Sequence, residues 1–204
     1  MMHIHTLTLG NCLTNCYIVW EESSETCAVI DPGDAPDTVL ASVEKLGLKV
    51  EAVLLTHGHF DHVGGVEAIV KATNCRLWMS EGDWSQRRSP VTARLYPIAN
   101  CDFTEVCFCE DGEIICAGGL RFEVMATPGH TYGSVCYFCG DALFSGDTLF
   151  AGSRGRTDLP GSDGHTLRDS LERLKERPGD YRVFPGHGEE TTLDHERRCN
   201  PYLR

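Results

Sequence analysis

Four apolar runs in this chain stop in the same way, in a glycine-bearing turn with a histidine or an aspartate beside it. They read VIDPGD (29–34), VMATPGHT (124–131), ALFSGDT (142–148) and RVFPGHG (182–188). Glycine lets the backbone bend sharply where a strand ends and come close to whatever sits there. The neighbouring side chain then projects at the strand's mouth. Such ends serve a common purpose only in a fold that gathers them on one rim. That fold would bring Asp31, His130, Asp147 and His187 together.

The remaining pattern suits such a rim. Strand-length apolar runs occur at 16–21, 27–33, 52–57, 75–80, 120–129, 134–140, 142–147 and 181–188, several rich in Val, Ile, Phe and Tyr. Helical spacing appears at 36–46, where Val39, Leu40, Val43 and Leu46 share a face. It recurs at 64–73 and at 165–177, where Leu167, Leu171 and Leu174 align and Arg-Pro-Gly gives a stop. Strands come in blocks separated by single helices, which predicts two sheets with helices outside them. The stretch 81–113 is the least regular. It carries Trp84, Arg87, Arg88, Arg94 and Tyr96 without clear period, and reads equally as a surface excursion or as a flap over a site.

A chain of 204 residues suffices for one core, so residues 1–204 are expected to form one domain. With 18 Lys+Arg against 30 Asp+Glu, the formal charge is −12, which disfavours nucleic-acid and anionic-membrane partners. The first ten residues lack a signal-peptide pattern and no apolar run is long enough to span a bilayer, so a soluble cytoplasmic protein is expected. Oligomeric state is not written in the sequence. The 11 cysteines then read as reduced thiols. Cys136 and Cys139 form a CxxC inside a strand-like run, where they would face opposite ways as small hydrophobes.

The stretch LLTHGHFDHVGG (54–65) sets three histidines and an aspartate within six positions after an apolar run. His57 and His59 are two apart, so in extended backbone they point the same way, and Asp61 and His62 follow where the chain turns towards a helix near Val63. Imidazole nitrogen plus carboxylate oxygen, without cysteine, suits zinc, iron or manganese. The donors exceed what one tetrahedral ion needs and suffice for two ions. Five of the nine histidines (His57, His59, His62, His130 and His187) fall in this set; His3, His5, His165 and His195 read as surface residues.

Taken in order, THGHFDHVGG, TPGHTYGSVCYF, LFSGDTLFAGSRGRTDLPG and FPGHGEETTLDHERRCNPYL resemble the metallo-β-lactamase-fold hydrolases, most of all small glyoxalase II-like members. The resemblance covers nearly the whole chain. It implies an α/β four-layer αββα sandwich of two mixed sheets with the site at one edge. It also implies two divalent ions, zinc first, with iron or manganese fitting the same donors. His57, His59 and His130 would hold the first ion, Asp61, His62 and His187 the second, with Asp147 bridging and Asp31 supporting. The helical extension that grips glutathione in full-length glyoxalase II has no counterpart, and Gly188-Glu189 follow the last histidine where tyrosine is frequent. Fold and metal therefore transfer, whereas glutathione specificity does not. The expected reaction is hydrolysis of an ester, with a thioester first, and Asp61 able to take a proton from the attacking water. Thr56, Thr131 and Thr148 are candidates to orient the imidazoles, and Arg154 and Arg156 to bind a substrate carboxylate. Two rival readings are a mononuclear iron persulfide dioxygenase and a non-catalytic metal-binding module.

Overall fold

A computed structural model describes residues 1–86, 88, 89, 91, 92, 94–96 and 106–204. Its first sheet holds β1 (Met2–Leu9), β2 (Thr14–Glu21), β3 (Thr26–Ile30), β4 (Lys49–Leu54), β5 (Arg76–Met79) and β6 (Val106–Phe108) in sequence order. The first three pair antiparallel and the rest parallel. The second sheet runs β14 (Thr191–Thr192), β13 (Arg182–Pro185), β10 (Ala142–Gly146), β9 (Val135–Cys139), β8 (Leu120–Ala126), β7 (Ile114–Ala117). Only β10 and β13 are parallel there. A small hairpin of β11 (Leu149–Phe150) and β12 (Ser153–Arg154) follows the end of β10.

The strands are apolar almost continuously because both of their faces are covered. Along β2, Tyr17 and Val19 enter the core between the sheets, while Cys16 and Ile18 face the outer layer. Along β9, Tyr137 and Cys139 point inward and Cys136 and Phe138 outward, so the two cysteines of CYFC do lie on opposite faces. All the cysteines among the described residues are free thiols. The inter-sheet core centres on Tyr17, Phe122, Tyr137, Phe144 and Phe184, with Phe144 stacked on Phe184 at 5.2 Å. Burying each such side chain contributes about 1.5–3 kcal/mol.

Helices cover both outer faces. α1 (Pro36–Lys45) and α3 (Val66–Thr73) pack Val39, Val43, Val66 and Ile69 against the first sheet, whereas Leu46 is exposed. α5 (Gly164–Glu176) lays Leu167, Leu171 and Leu174 on the second sheet, and Asp163 caps it by accepting from Thr166 N at 2.7 Å. α6 (Leu193–Cys199) completes that layer through Leu193. The layers are thus α, β, β, α, as the sequence predicts. No helix of the described residues is long and apolar enough to cross a membrane.

Several elements differ from the sequence reading, among them β7 and α6, which no predicted run or helical spacing covered. β1 is an edge strand, half covered, whose His and Thr residues conceal its alternation. The 81–113 stretch holds the short helix α4 (Glu81–Gln86), as a surface excursion with a short helix would, but Asp83, Thr92 and Tyr96 are buried. Arg87 and residues 97–105 of that stretch lie outside the described residues.

At one edge the two sheets are joined by hydrogen bonds as well as by side-chain packing. Asn15 N donates to Gly186 O at 2.8 Å, and Asn15 Nδ2 donates to Pro185 O and Gly188 O. Tyr17 Oη reaches Pro185 O at 2.6 Å, and Tyr137 Oη reaches Leu55 O at 2.8 Å. Val135 N donates to Thr56 O at 2.8 Å. The loops that follow β3, β4, β8, β10 and β13 leave at this edge, which fixes where their side chains converge.

Candidate metal centre

His57 and His59 follow β4. Asp61 and His62 sit on the one-turn helix α2 (Phe60–Val63), so the chain turns helical three residues before the expected start. His130, Asp147 and His187 come from the loops after β8, β10 and β13. Two groups of donor atoms result, each lying within 4.8 Å of one another: His57, His59 and His130, and Asp61, His62 and His187. Asp147 stands between them. Its Oδ1 is 3.3 Å from His62 Nε2, and its Oδ2 is 3.5 Å from His130 Nε2 and 3.6 Å from His187 Nε2. All seven residues singled out in the sequence are therefore brought together.

Four of the five imidazoles are pinned through Nδ1. Carboxylates and carbonyls only accept, so the partner fixes the proton on that nitrogen and leaves Nε2 bare. His62 donates to Asp31 Oδ2 at 2.9 Å, His130 to Arg156 O at 2.9 Å and His187 to Cys12 O at 3.1 Å. His57 Nδ1 lies 3.1 Å from Thr56 Oγ1, whose hydroxyl donates to Asp31 Oδ2 at 2.5 Å, while Thr56 N donates to Asp31 Oδ1 at 2.8 Å. Donor atoms of Asp31, His57 and His62 also lie within 4.8 Å of one another. Asp31's oxygens are already taken by these donors, so it orients rings instead of offering a ligand atom. His59 is turned the other way, with Nδ1 3.0 Å from His130 Nε2.

The electrostatics divide the cluster. Burial, reinforced by the neighbouring imidazoles, holds His57 well below the ordinary histidine range. Burial and then His130 lower His59 to about 3, and burial lowers His130 despite Asp147. These three rings are neutral lone-pair donors at physiological pH. Burial also opposes charge on His62, but Asp147 and Asp31 outweigh it and hold that ring well above its usual value; Asp61 does the same for His187. In return His187 draws Asp61 down and His62 draws Asp147 down, against burial. Positive charge is thus required in the second group, and a divalent cation supplies it as well as protons do.

The donors fit such ions. Within the cluster, buried His57 Nε2, His59 Nε2 and Asp147 Oδ1 have no hydrogen-bond partner among the described residues. Orphaned polar atoms of this kind cost about 1–3 kcal/mol each unless something satisfies them. The cluster opens on a cleft of about 520 Å³ lined in part by Phe60, Leu95, Phe150, Leu159, Arg154 and Arg156. Arg156 is committed to Asp158, with nitrogen–oxygen distances of 2.7 and 2.8 Å. Arg154 instead lies 4.7 Å over the Tyr202 ring.

One residue escaped sequence reasoning. Asp83 is fully buried and accepts from Gly58 N at 2.7 Å, Gly133 N at 2.7 Å and Thr131 Oγ1 at 2.8 Å. It therefore ties the His57–His59 segment to the loop that carries His130. Burial pushes its carboxyl up to about 6 against those three hydrogen bonds. Its signal was present: Gly82-Asp83 follows the 75–80 run as Gly-Asp follows the others. Thr131 thus serves Asp83, and Thr148 pairs with Thr127 at 2.9 Å, so neither touches an imidazole as expected. Asp83→Asn is expected to cost about 1–3 kcal/mol, because one backbone N–H then faces an amide donor. It should also weaken metal retention about 10–100-fold, measured by chelator competition.

A family model described as the metallo-beta-lactamase superfamily matches residues 9–187. The hydroxyacylglutathione hydrolase GloC of Haemophilus influenzae is 34% identical, covering 99% of this chain and 98% of GloC. Among solved structures, TTHA1623 in a di-iron-bound form aligns with a TM-score of 0.84 and 38% identity over 98% of this chain and all of that one. The BLEG-1 B3 metallo-beta-lactamase aligns with a TM-score of 0.84 and 31% identity over 98% of this chain and 99% of that one.

Proposed function

Because this chain belongs to the metallo-β-lactamase superfamily, whose members include metal-dependent hydrolases, we propose that it hydrolyses a thioester at a two-ion centre. His57, His59 and His130 would hold one ion and Asp61, His62 and His187 the other, with Asp147 available to both. Zinc is the first candidate, and the di-iron form of TTHA1623 keeps iron beside it. The observation that carries the reading is the Asp147 carboxylate, set within 3.3–3.6 Å of imidazole nitrogens from both groups and open to the cleft.

Bound there, the two ions would acidify water into a nucleophile at neutral pH and balance negative charge on a polarised carbonyl. The chain's own residues do the rest. The pinned Nδ1 atoms of His57, His62, His130 and His187 keep their Nε2 atoms turned to the cluster, so ion binding would displace protons without turning those rings. Asp61 Oδ2, partly exposed, lies 3.2 Å from both Thr14 Oγ1 and His187 Nε2; against burial, the pull of His187 favours its charged form, which suits a ligand better than a proton acceptor for the attacking water. Phe60, Leu95, Phe150 and Leu159 form apolar wall that limits water beside the reacting carbonyl. The leaving group decides the substrate class. Besides the donor set, the polar side chains lining the cleft among the described residues are Cys12, Ser153 and the two arginines. A guanidinium does not release its proton and a serine hydroxyl is no acid at neutral pH, which leaves the Cys12 thiol as the one weak acid of this group. A thiolate departs without acid help, unlike an amine or alkoxide. The name of GloC supports the same class.

The test is metal content and S-lactoylglutathione turnover of wild type and His59→Ala. The wild type should carry two ions and turn over, and the variant should lose metal and at least about a hundredfold in kcat/KM. Unchanged metal in the variant removes His59 from the donor set. Oxygen uptake with glutathione persulfide, with no thioester cleaved, replaces hydrolysis by redox chemistry; metal binding with neither activity leaves a binding module.

A further inference from the structure

Beyond the cation-facing cleft lies a second one, of about 370 Å³, whose lining includes Arg154, His165, Arg168 and Arg204, with Tyr202 and a single carboxylate, Glu172. The background charge of the chain is −12, so three arginines gathered in one recess run against the molecule's composition. Six of the 14 arginines are held by carboxylates. Arg76, Arg156, Arg173, Arg177, Arg182 and Arg197 each lie within salt-bridge reach of a carboxylate. Arg154, Arg168 and Arg204 pair with no carboxylate among the described residues. Arg154 stacks on Tyr202, and Arg168 reaches only His165 Nδ1, at 3.4 Å. Glu172 is engaged by Lys175 at 3.3 Å. The recess therefore holds guanidinium groups that no carboxylate neutralises among the described residues.

Arg154 also lines the cation-facing cleft, so the two recesses adjoin through one side chain. Arg154 thus stands between the donor cluster and the wall that carries Arg168 and Arg204. Resting on the thioester reading above, we propose that the outer recess seats the anionic end of the thiol arm, a terminal carboxylate or phosphate. Both anions match a planar guanidinium bidentately. On an acidic surface, such a local basic recess also draws an anionic substrate to this mouth.

The experiment uses the metal-loaded full chain and three lactoyl thioesters: of glutathione, ending in carboxylates; of 4′-phosphopantetheine, ending in phosphate; and of N-acetylcysteamine, which is neutral. Arg168→Glu should lower kcat/KM roughly tenfold or more for one or both anionic thioesters through KM, and no more than about twofold for the neutral one. Raising salt from about 50 to 500 mM should erase the wild type's preference for the anionic arm. The anion with the larger loss identifies the terminus. Equal losses on all three thioesters, or none, overturn the proposal. If no thioester is cleaved, the hydrolase reading fails separately, and binding then decides. S-methylglutathione or S-methylphosphopantetheine should bind the wild type more tightly than Arg168→Glu by calorimetry, and equal affinities overturn the proposal.

Discussion

Asp147→Ala is expected to leave a folded protein that retains at most one ion and turns over the proposed thioester substrate about a thousandfold more slowly. The expectation follows from where Asp147 sits. Its oxygens face imidazoles of both donor groups at 3.3–3.6 Å, and Oδ1 has no hydrogen bond within the protein frame. The carboxylate therefore contributes little to holding the rim together, which Asn15, Tyr17, Asp31 and Asp83 do. It contributes instead the charge that His62 and His187 face. Removing it should leave the melting temperature of metal-free protein near wild type, while the rise on adding metal, which tracks binding to the folded state, shrinks. Asp147→Asn keeps one oxygen and the size but loses the charge, and should fall between. Elemental analysis, steady-state kinetics and melting curves with and without metal check the three parts. Full metal content with full turnover in Asp147→Ala would remove the bridge from the proposed centre.

Much of this was legible because the signals are local. Runs such as CYIVWE and SVCYFC have apolar side chains on both faces, which only a strand sandwiched between core and helices tolerates, and β2 and β9 are so placed. Leu167, Leu171 and Leu174 with Asp163 ahead of them specify α5 without tertiary help. The seven donors were legible because their residue types are costly to gather for any other purpose. The orienting contacts were less so. His130 and His187 are pinned by the backbone carbonyls of Arg156 and Cys12, which any residue could offer and no sequence marks. Asp83 hid inside a stretch without periodicity, and its partners are two glycine N–H groups and a threonine nearly fifty residues on. Arg154 and Arg156 read alike in the sequence. Only the structure separates the one clasped by Asp158 from the one over Tyr202. β1 was lost because an edge strand needs only half its face covered, so its histidines and threonines need not alternate cleanly with apolar residues.

Gly33→Ala should be among the most damaging single-methyl additions this chain can receive. Gly33 lies in the turn after β3, two residues beyond Asp31, and crosses the α2 turn that carries Asp61 and His62. A Cβ built on it would stand 1.6 Å from the Asp61 carbonyl oxygen and 2.7 Å from its carbonyl carbon. The opposing segment is as tight, since a Cβ on Gly64 would stand 2.3 Å from Gly33 O. Both obstacles are backbone, so no side chain can swing away. The two segments would have to part, and with them the Asp31 contacts to Thr56 and His62. The cost should reach about 4 kcal/mol or more, lowering the melting temperature by roughly 8–16 °C. Metal should be lost even from protein recovered folded, because Asp61 and His62 move with the turn. Gly47→Ala is the control that separates crowding from backbone strain. Gly47 has φ +73°, yet nothing lies within 4 Å of its added Cβ. It should cost only about 1 kcal/mol, as forcing an L-residue into the left-handed region does. Calorimetric melting of both variants distinguishes the two. If Gly33→Ala melts no lower than Gly47→Ala and keeps its metal, the Asp31 turn does not press on the α2 turn, and the placement of Asp61 and His62 must have another support.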